Sequence, residues 1–257
     1  MRLTSFSFSF FSPPQNRFKL NKTILNFFVE NINQKYRNNT YHNFQHGFST
    51  AHFCFIAIFR CKKIEKCLRS IDVYAMLVAA LMHDVDHPGN NNNYEVQRNS
   101  TLALRYNDIS VLENHHGAVG WNVIYGGNGE GNGGGSDGNS SGGTIVDSLS
   151  KEDLLTFRKT TIKAILHTDM IHHFSLIEQL SSLNTNDAFD IKNPSDRITL
   201  VGTLVHAADI SNPLIPNFEV VAKWVRTLYV VLVCVDRTDV FLLTCVLFVF
   251  FFSFTTG

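Results

Sequence analysis

The sequence lacks an excess of charge of either sign, because 22 Lys and Arg residues balance 22 Asp and Glu residues. A balanced chain has no general electrostatic attraction to a polyanion, so we expect no nucleic-acid partner. Cysteine is also scarce, since the five cysteines are scattered and none forms a Cys-x-x-Cys pair. This spacing excludes a zinc–cysteine framework and a disulfide scaffold, and it predicts a reducing, intracellular and cytoplasmic location.

The sequence also lacks an apolar run of membrane-spanning length. The strongest candidate, residues 240–254, is shorter than the roughly 20 residues that cross a bilayer. Extending it backwards takes in Asp236, Arg237 and Asp239, and each charge costs about 3 kcal/mol at the bilayer centre. Membrane association is therefore left open but disfavoured. Residues 1–17 lack the apolar core of a secretory signal, and we expect a disordered or spurious end there.

Strand patterns are absent as well, since no segment alternates apolar and polar residues and no Asn-Gly hairpin separates two apolar runs. Apolar residues instead recur at helical spacing or fill helix-length runs, which predicts an all-α fold. The expected helices cover residues 18–30, 47–59, 71–82, 99–106, 111–119, 151–166, 172–183 and 198–208. Residues 62–69 are expected to form a charged turn, and residues 90–93 a loop.

The chain length predicts one large domain with a substantial core. Residues 126–143 are a low-complexity Gly/Asn/Ser stretch that cannot bury apolar surface. We expect a flexible surface insertion there. It should lie within one domain, because polar motifs occur on both sides of it. The sequence gives no indication of the oligomeric state.

The most informative stretch is residues 83–89, His-Asp-Val-Asp-His-Pro-Gly, which directly follows an apolar run. Buried charge is costly unless it is paired or bound to a metal. Further polar residues lie near helix ends at His42/His46, Glu113/His116 and Asp209. Imidazole nitrogen and carboxylate oxygen are ligands for zinc, manganese or iron, whereas magnesium prefers oxygen and water. The sequence therefore predicts a metal site where helix ends converge, with His42 and His46 (i, i+4) sharing a helix face.

Isolated histidines are weaker indicators of a site. A lone histidine is more often a satisfied core or surface residue than a ligand. We interpret His52, His115, His167, His172 and His173 in this way.

Five motifs carry a resemblance to a known family. They are residues 41–46 (YHNFQH), 83–89 (HDVDHPG), 107–116 (NDISVLENHH), 165–170 (ILHTDM) and 206–213 (HAADISNP). In this order they resemble the class I 3′,5′-cyclic nucleotide phosphodiesterases, which belong to the HD-domain metallohydrolases. The resemblance covers about residues 35–225. One HD pair occurs in many hydrolases, but five motifs in order are specific.

The resemblance implies a compact multi-helix domain with two divalent metal ions, usually zinc together with magnesium or manganese. The ligands of the tighter metal would be His46, His83, Asp84 and Asp209. Asp84 would also bridge to the second metal, whose other ligands are mainly waters. The residues that hold those waters or support the ligands would be His87, Glu113, His116 and Thr168.

The resemblance also implies the substrate side of the site. His42 would be the general acid that protonates the leaving O3′, Asn212 would contact the nucleotide, and Tyr41 and Met170 would form pocket walls. The chemistry is consistent, because a water bridging two cations becomes hydroxide and a protonated imidazole can neutralise the leaving oxygen. The predicted reaction is hydrolysis of the small-molecule substrates cyclic AMP, cyclic GMP or both to 5′-nucleoside monophosphates, in cyclic nucleotide signal transduction.

The sequence departs from the family pattern after Trp224. No glutamine follows Gln179, so the family's purine-binding glutamine and its last helices are missing. We therefore expect residues 18–228 to be a partial catalytic domain and residues 229–257 a divergent hydrophobic tail, from a truncated or misjoined reading of a longer gene. Two alternatives stay open: an inactive fragment acting at most as a binding module, and an HD phosphohydrolase for another phosphoester. The preference between cyclic AMP and cyclic GMP is also left open.

Overall fold

The computed structural model describes residues 21–126, 143–185 and 189–211. These ranges form ten α-helices and one short 3-10 helix, without a strand, which confirms the predicted all-α fold. The α-helices are α1 Lys22–Lys35, α2 Phe44–Arg60, α3 Lys62–Cys67, α4 Ser70–Met82, α5 Asn92–Gln97, α6 Thr101–Tyr106, α7 Val111–Ile124, α8 Lys151–Leu166, α9 His173–Thr185 and α10 Pro194–Asp209, and the 3-10 helix is Met170–His172. The expectations for residues 1–17, for residues 127–142 of the insertion and for residues 229–257 fall outside the described residues.

Helix α4 forms the centre of the core. Every residue from Tyr74 to Met82 is buried, and the helix packs against α2, α7, α8 and α10. Each fully buried large apolar side chain contributes about 1.5–3 kcal/mol, so this helix has little freedom to shift. The buried hydroxyl of Tyr36 donates to the carbonyl oxygen of Leu81 at 2.9 Å, close to the carboxyl end of α4. That end is therefore held in place immediately before the motif at residues 83–89.

Capping residues define where two other helices begin. The side chain of Asn43 accepts a hydrogen bond from the backbone N–H of His46, which starts α2 at Phe44. Ser150 caps α8 in the same way, by accepting from the N–H of Asp153 at 3.1 Å. Side-chain oxygens at this position satisfy backbone donors that the first helical turn leaves unpaired. The cap at Asn43 places His46 in the first turn of α2.

Several predicted boundaries were wrong. Helix α3 occupies residues predicted as a charged turn, because Ile64 and Cys67 pack against the core. Helix α5 begins inside the predicted loop, capped by Asn91. The sequences of α3 and α5 show too little hydrophobic periodicity for a helix to be recognised there.

The prediction that His42 and His46 share a helix face was also wrong. His42 precedes the cap at Asn43 and lies outside α2. Ser110 directly precedes α7, yet its side chain makes no cap bond and instead donates to Asp169.

None of the helices in the described ranges combines the length and apolar character needed to cross a membrane.

Candidate metal centre

Three helix ends bring the first group of polar side chains together. His46 lies in the first turn of α2, His83 directly follows α4, and Asp209 is the last residue of α10. The Nε2 atom of His46 lies 2.8 Å from Asp209 Oδ1 and 3.2 Å from His83 Nε2. The Oδ2 atom of Asp84 lies 3.3 Å from His83 Nε2 and 3.4 Å from His46 Nε2. One potential ligand atom from each of these four residues therefore faces the same small volume.

A second group of potential ligands shares Asp84 with the first. It consists of Asp84, His87 and His116, whose candidate ligand atoms all lie within 4.8 Å of one another. The Oδ1 atom of Asp84 lies 3.9 Å from His116 Nε2, while Oδ2 faces the first group. Asp84 therefore presents one oxygen to each side, as a carboxylate that bridges two cations would.

Hydrogen bonds to the backbone fix which ring nitrogens face the centre. The Nδ1 atoms of His83 and His116 lie 2.8 Å from the carbonyl oxygens of Ala80 and Val85, which can only accept. Each Nδ1 therefore carries a proton, and in the neutral ring Nε2 keeps its lone pair for a metal. His87 is the reverse, because its Nδ1 accepts from the N–H of Gly89 at 2.9 Å. Neutral His87 thus carries its proton on Nε2 and acts as a donor there.

The neighbouring charges in the centre shift one another's pKa values. Burial opposes the ionised form of Asp84, but His83 and His42 hold the pKa of that carboxyl well below its usual range. Burial likewise opposes ionisation of Asp209, and His83 and His46 hold its pKa below the usual range. Burial also opposes the charge on His83, whereas Asp84 and Asp209 raise its pKa well above the ordinary value. For His87 and His116, burial outweighs the opposing effect of the nearby Asp84, and it lowers the pKa of His87 to about 2 and that of His116 to about 4.

The residues present fit a divalent cation. The Oδ2 atom of Asp84 is buried and has no hydrogen-bond donor, and a buried unsatisfied carboxylate oxygen is costly without a compensating charge. Imidazole nitrogens and carboxylate oxygens also form a donor set suited to zinc and similar metals. The predicted ligands His46, His83, Asp84 and Asp209 thus form one of the groups, and His87 and His116 join Asp84 in the other.

The predicted general acid lies against the second group. The ring of His42 stacks on that of His87, with centroids 3.9 Å apart and planes 8° apart. The ring of Tyr41 lies 4.7 Å from that of His46. Burial lowers the pKa of His42, while the nearby Asp84 acts in the opposite direction. These contacts place an imidazole and a phenol ring at the edge of the candidate metal centre.

Three further predicted site residues, Thr168, Met170 and Glu113, lie in the described part of the chain. Thr168 is buried and its hydroxyl donates to the carbonyl of Ile165 at 2.7 Å, whereas Met170 is 45% exposed. Glu113 accepts from Asn92 Nδ2 at 2.9 Å. Burial and then the charge of Asp169 raise the pKa of Glu113 to about 7. Asn212 lies outside the described residues.

Two residues in the hydrogen-bond network around Glu113, Asn92 and Asp169, were not predicted from the sequence. Asn92 lies between Glu113 and Asp169, at 2.9 and 3.5 Å, and its Oδ1 accepts from the N–H of Leu112. Asp169 accepts a further bond of 2.8 Å from Ser110 Oγ. Asn92 was hidden in an Asn run that resembles a solvated loop. Asp169 lay inside a quoted motif but had no role assigned to it.

Fold and site together define an all-helical domain built around a histidine–aspartate centre that can hold metal. The chain belongs to the 3′5′-cyclic nucleotide phosphodiesterase family, which matches residues 41–231. It is 32% identical over 213 residues to a probable 3′,5′-cyclic-AMP phosphodiesterase of Caenorhabditis elegans, covering 80% of this chain and 29% of the relative. It is 33% identical over 211 residues to the high affinity cGMP-specific 3′,5′-cyclic phosphodiesterase 9A of Homo sapiens, covering 82% of this chain and 32% of the relative.

A solved structure agrees with this assignment. The phosphodiesterase domain of the RhoPDE fusion protein from Salpingoeca rosetta matches with a TM-score of 0.75 and 27% sequence identity. The match covers 88% of this chain and 66% of that domain. The chain thus spans less than a third of the length of the Caenorhabditis elegans relative and about two thirds of the solved domain.

Proposed function

We propose that this chain hydrolyses 3′,5′-cyclic nucleotides to 5′-nucleoside monophosphates. The observation that carries the proposal is the pair of potential metal-binding groups that share Asp84, in a chain of this family. A cyclic phosphodiester needs a nucleophile available at neutral pH, compensation of its negative charge and a proton for the leaving oxygen. The residues around Asp84 can meet each need.

The proposed metal ions are zinc at His46, His83, Asp84 and Asp209, and magnesium or manganese on the side of Asp84 that faces His87 and His116. When bound, two divalent cations would supply a water of lowered pKa and positive charge facing the phosphate. The Nδ1 bonds of His83 and His116 to backbone carbonyls hold their Nε2 lone pairs toward the centre. Magnesium prefers oxygen ligands and retains waters, and the Nε2–H of His87 is a donor suited to holding such a water.

His42 is the proposed general acid for the leaving O3′. In the free protein burial lowers its pKa, and Asp84 partly restores it. A bound phosphodiester brings a further negative charge, which favours the protonated imidazole. His42 would then carry its proton at the edge of the centre, where we propose that the leaving oxygen lies.

The other proposed roles concern waters and the substrate. Glu113 and Thr168 would hold waters or support the ligands, while Tyr41, Met170 and Asn212 would contact the nucleotide. Among these, the ring of Tyr41 contacts that of His46, and Met170 is partly exposed. We assign this activity to a reducing cytoplasmic compartment, in agreement with the free thiols of Cys54, Cys61 and Cys67.

One observation favours a second candidate function. No glutamine follows Gln179, and the carboxamide of a glutamine can recognise a purine edge by paired hydrogen bonds. Hydrolysis of a phosphoester without base recognition is therefore the alternative.

A substrate panel tests both candidates. The full chain, loaded with zinc and magnesium, is incubated in separate reactions with cyclic AMP, with cyclic GMP, with cyclic AMP in the presence of excess adenosine, and with bis(p-nitrophenyl) phosphate. The products are then separated by chromatography. Release of 5′-nucleotide from a cyclic nucleotide, inhibited by EDTA, supports the proposal. Turnover of bis(p-nitrophenyl) phosphate alone supports the alternative, and no metal-dependent turnover of any substrate overturns both.

A further inference from the structure

Asp86 is the one carboxylate of the motif at residues 83–89 that lies outside both potential metal-binding groups. Each of its two oxygens has a separate partner. Arg37 Nε donates to Oδ1 at 2.6 Å, and His115 Nε2 lies 2.7 Å from Oδ2. Arg37 lies between α1 and α2, whereas His115 lies on α7. Asp86 therefore joins two separate parts of the fold to the segment that supplies Asp84 and His87.

Arg37 belongs to the same segment as His42, the proposed general acid. Two residues beyond Arg37, Asn39 donates to the carbonyl oxygen of His87 at 2.7 Å and to that of His42 at 3.2 Å. The rings of His42 and His87 are stacked. The segment that carries His42 is thus attached to the metal-ligand segment at two consecutive residues, Asp86 and His87.

Two consecutive residues of α7, His115 and His116, also attach that helix to the segment that supplies the metal ligands. His115 bonds to the side chain of Asp86, and the next residue, His116, donates from Nδ1 to the carbonyl oxygen of Val85. A rotation of α7 about the His116 bond alone would change the 3.9 Å separation between His116 Nε2 and Asp84 Oδ1. The His115–Asp86 bond supplies a second point of attachment that opposes this rotation.

We propose that Asp86 is a positioning residue that holds His87 and His116 at the distance from Asp84 needed to form the second metal subsite. The inference rests on the proposed function, because that subsite is the one assigned to magnesium or manganese. Asp86 acts through Arg37 and His115 and touches no metal itself. Among the histidines and aspartates of the motif, it is the one to which the sequence analysis assigned no role.

Asp86 can be replaced by Asn without a change in the backbone conformation that the position requires. Its φ of +60° is in the left-handed region, which Asn tolerates about as well as Asp. Asp86→Asn therefore removes the charge without adding backbone strain. The Asp86 and Arg37 side chains are 30% and 48% exposed, and such exposed pairs contribute little to stability. A loss of metal affinity with a nearly unchanged melting temperature would separate positioning from simple destabilisation.

A matched control is Asp108→Asn. Asp108 is also an aspartate with left-handed backbone, φ +62°, and it is exposed and distant from the motif in sequence. The experiment titrates Mn²⁺ into full-length wild type, Asp86→Asn and Asp108→Asn, each preloaded with one equivalent of zinc, and free Mn²⁺ is followed by electron paramagnetic resonance. Substituting residues that orient metal ligands typically weakens metal binding by about 10–100-fold, and we expect Asp86→Asn to fall in this range. Asp108→Asn should bind as wild type does.

Arg37→Gln provides a second variant in case Asp86→Asn fails to fold. Arg37→Gln should also weaken Mn²⁺ binding, and the double variant should lose little more than Asp86→Asn alone, because the two residues form one interaction. Arg37→Lys should recover part of the affinity. Additive losses for Arg37→Gln and Asp86→Asn, or wild-type affinity in Asp86→Asn, would overturn the inference.

The result also separates this inference from the proposed function. If wild type binds Mn²⁺ and Asp86→Asn binds it weakly, the inference stands even when no cyclic nucleotide is hydrolysed. If wild type hydrolyses cyclic nucleotides but Asp86→Asn retains wild-type Mn²⁺ affinity, the inference fails and the proposed function stands. Absence of Mn²⁺ binding by wild type overturns the inference, since no second subsite would exist to position. In an active chain, Asp86→Asn should lower kcat more than it changes KM.

Discussion

The imidazole of His42 lies flat against that of His87, with ring centroids 3.9 Å apart. His87 is neutral, because burial lowers its pKa to about 2 and its Nδ1 accepts the N–H of Gly89. A neutral ring can hold His42 in a fixed orientation without electrostatic repulsion when His42 becomes protonated. The stack therefore orients the imidazole of His42, the proposed proton donor, near the carboxylate of Asp84.

Replacing His42 by Ala should lower kcat by about 10²–10⁴-fold, the usual range for loss of a general acid. The zinc content should remain that of wild type, because His42 belongs to neither potential metal-binding group. Steady-state kinetics and metal analysis of the same preparation check both statements. His52→Ala, on α2, is the control and should retain wild-type kcat. An unchanged kcat in His42→Ala would remove His42 from the mechanism.

Asp84→Asn and Asp209→Asn should differ in their metal content. Asp84 belongs to both groups, so its loss should weaken both subsites, whereas Asp209 belongs only to the group with His46 and His83. Mass spectrometric metal analysis after dialysis should find neither metal retained by Asp84→Asn, and the variant Asp209→Asn should lose zinc preferentially. Two metals retained by Asp84→Asn would contradict a bridging role for this carboxylate.

The raised pKa of Glu113 has a measurable consequence for stability. Burial and Asp169 raise it from 4.5 to about 7 in the folded chain, so the ionised carboxylate destabilises the fold above pH 7, and the cost disappears below pH 4.5. A shift of this size corresponds to at most about 3 kcal/mol. Glu113→Gln should therefore stabilise the metal-free protein at pH 8 and lose this advantage as the pH falls toward 4.5.

Urea unfolding of the wild type and Glu113→Gln in EDTA, at pH 8 and at pH 5, measures this difference. Glu152→Gln is the control, since Glu152 is exposed on α8 and should show no such pH-dependent gain. A Glu113→Gln variant that is equally stabilised at both pH values, or destabilised at pH 8, would show that Glu113 is not held in an unfavourable charge state.

Packing beside the site gives a further prediction. A Cβ atom added at Gly202 of α10 would overlap the ring of His167, which follows α8. Gly202→Ala should therefore cost about 1–3 kcal/mol of folding free energy. The same substitution should cost much less in a His167→Ala background, because the overlapping ring is gone. Gly117→Ala has no neighbour within 4 Å of the new Cβ and serves as the control; equal costs of Gly202→Ala in both backgrounds would contradict the packing.

Much of the fold could be predicted from sequence because its long helices are strongly apolar. Helix α4 is the clearest case, since its buried run from Tyr74 to Met82 ends at the motif. The six-residue helices α3 and α5 could not be predicted, because their formation depends on contacts with the core and on the Asn91 cap. Local pattern alone does not carry that information.

The candidate ligands could be predicted because their residue types and order are specific. What the sequence could not provide was the role of Asp86, whose partners Arg37 and His115 lie 49 and 29 positions away in the chain. His42 was assigned to a shared helix face with His46, yet the Asn43 cap separates the two. Such contacts depend on tertiary packing, which a one-dimensional motif does not encode.

The most direct test of the central proposal is restoration of 5′-nucleotide release by metal. The full chain is stripped with a chelator, dialysed, and assayed with cyclic AMP and cyclic GMP before and after addition of zinc and magnesium, with Asp84→Asn treated in parallel. We predict no release before addition, release of 5′-monophosphate by wild type afterwards, and none by Asp84→Asn. Release that persists in the stripped protein, or that Asp84→Asn shares fully, would contradict a metal-dependent cyclic nucleotide phosphodiesterase centred on Asp84.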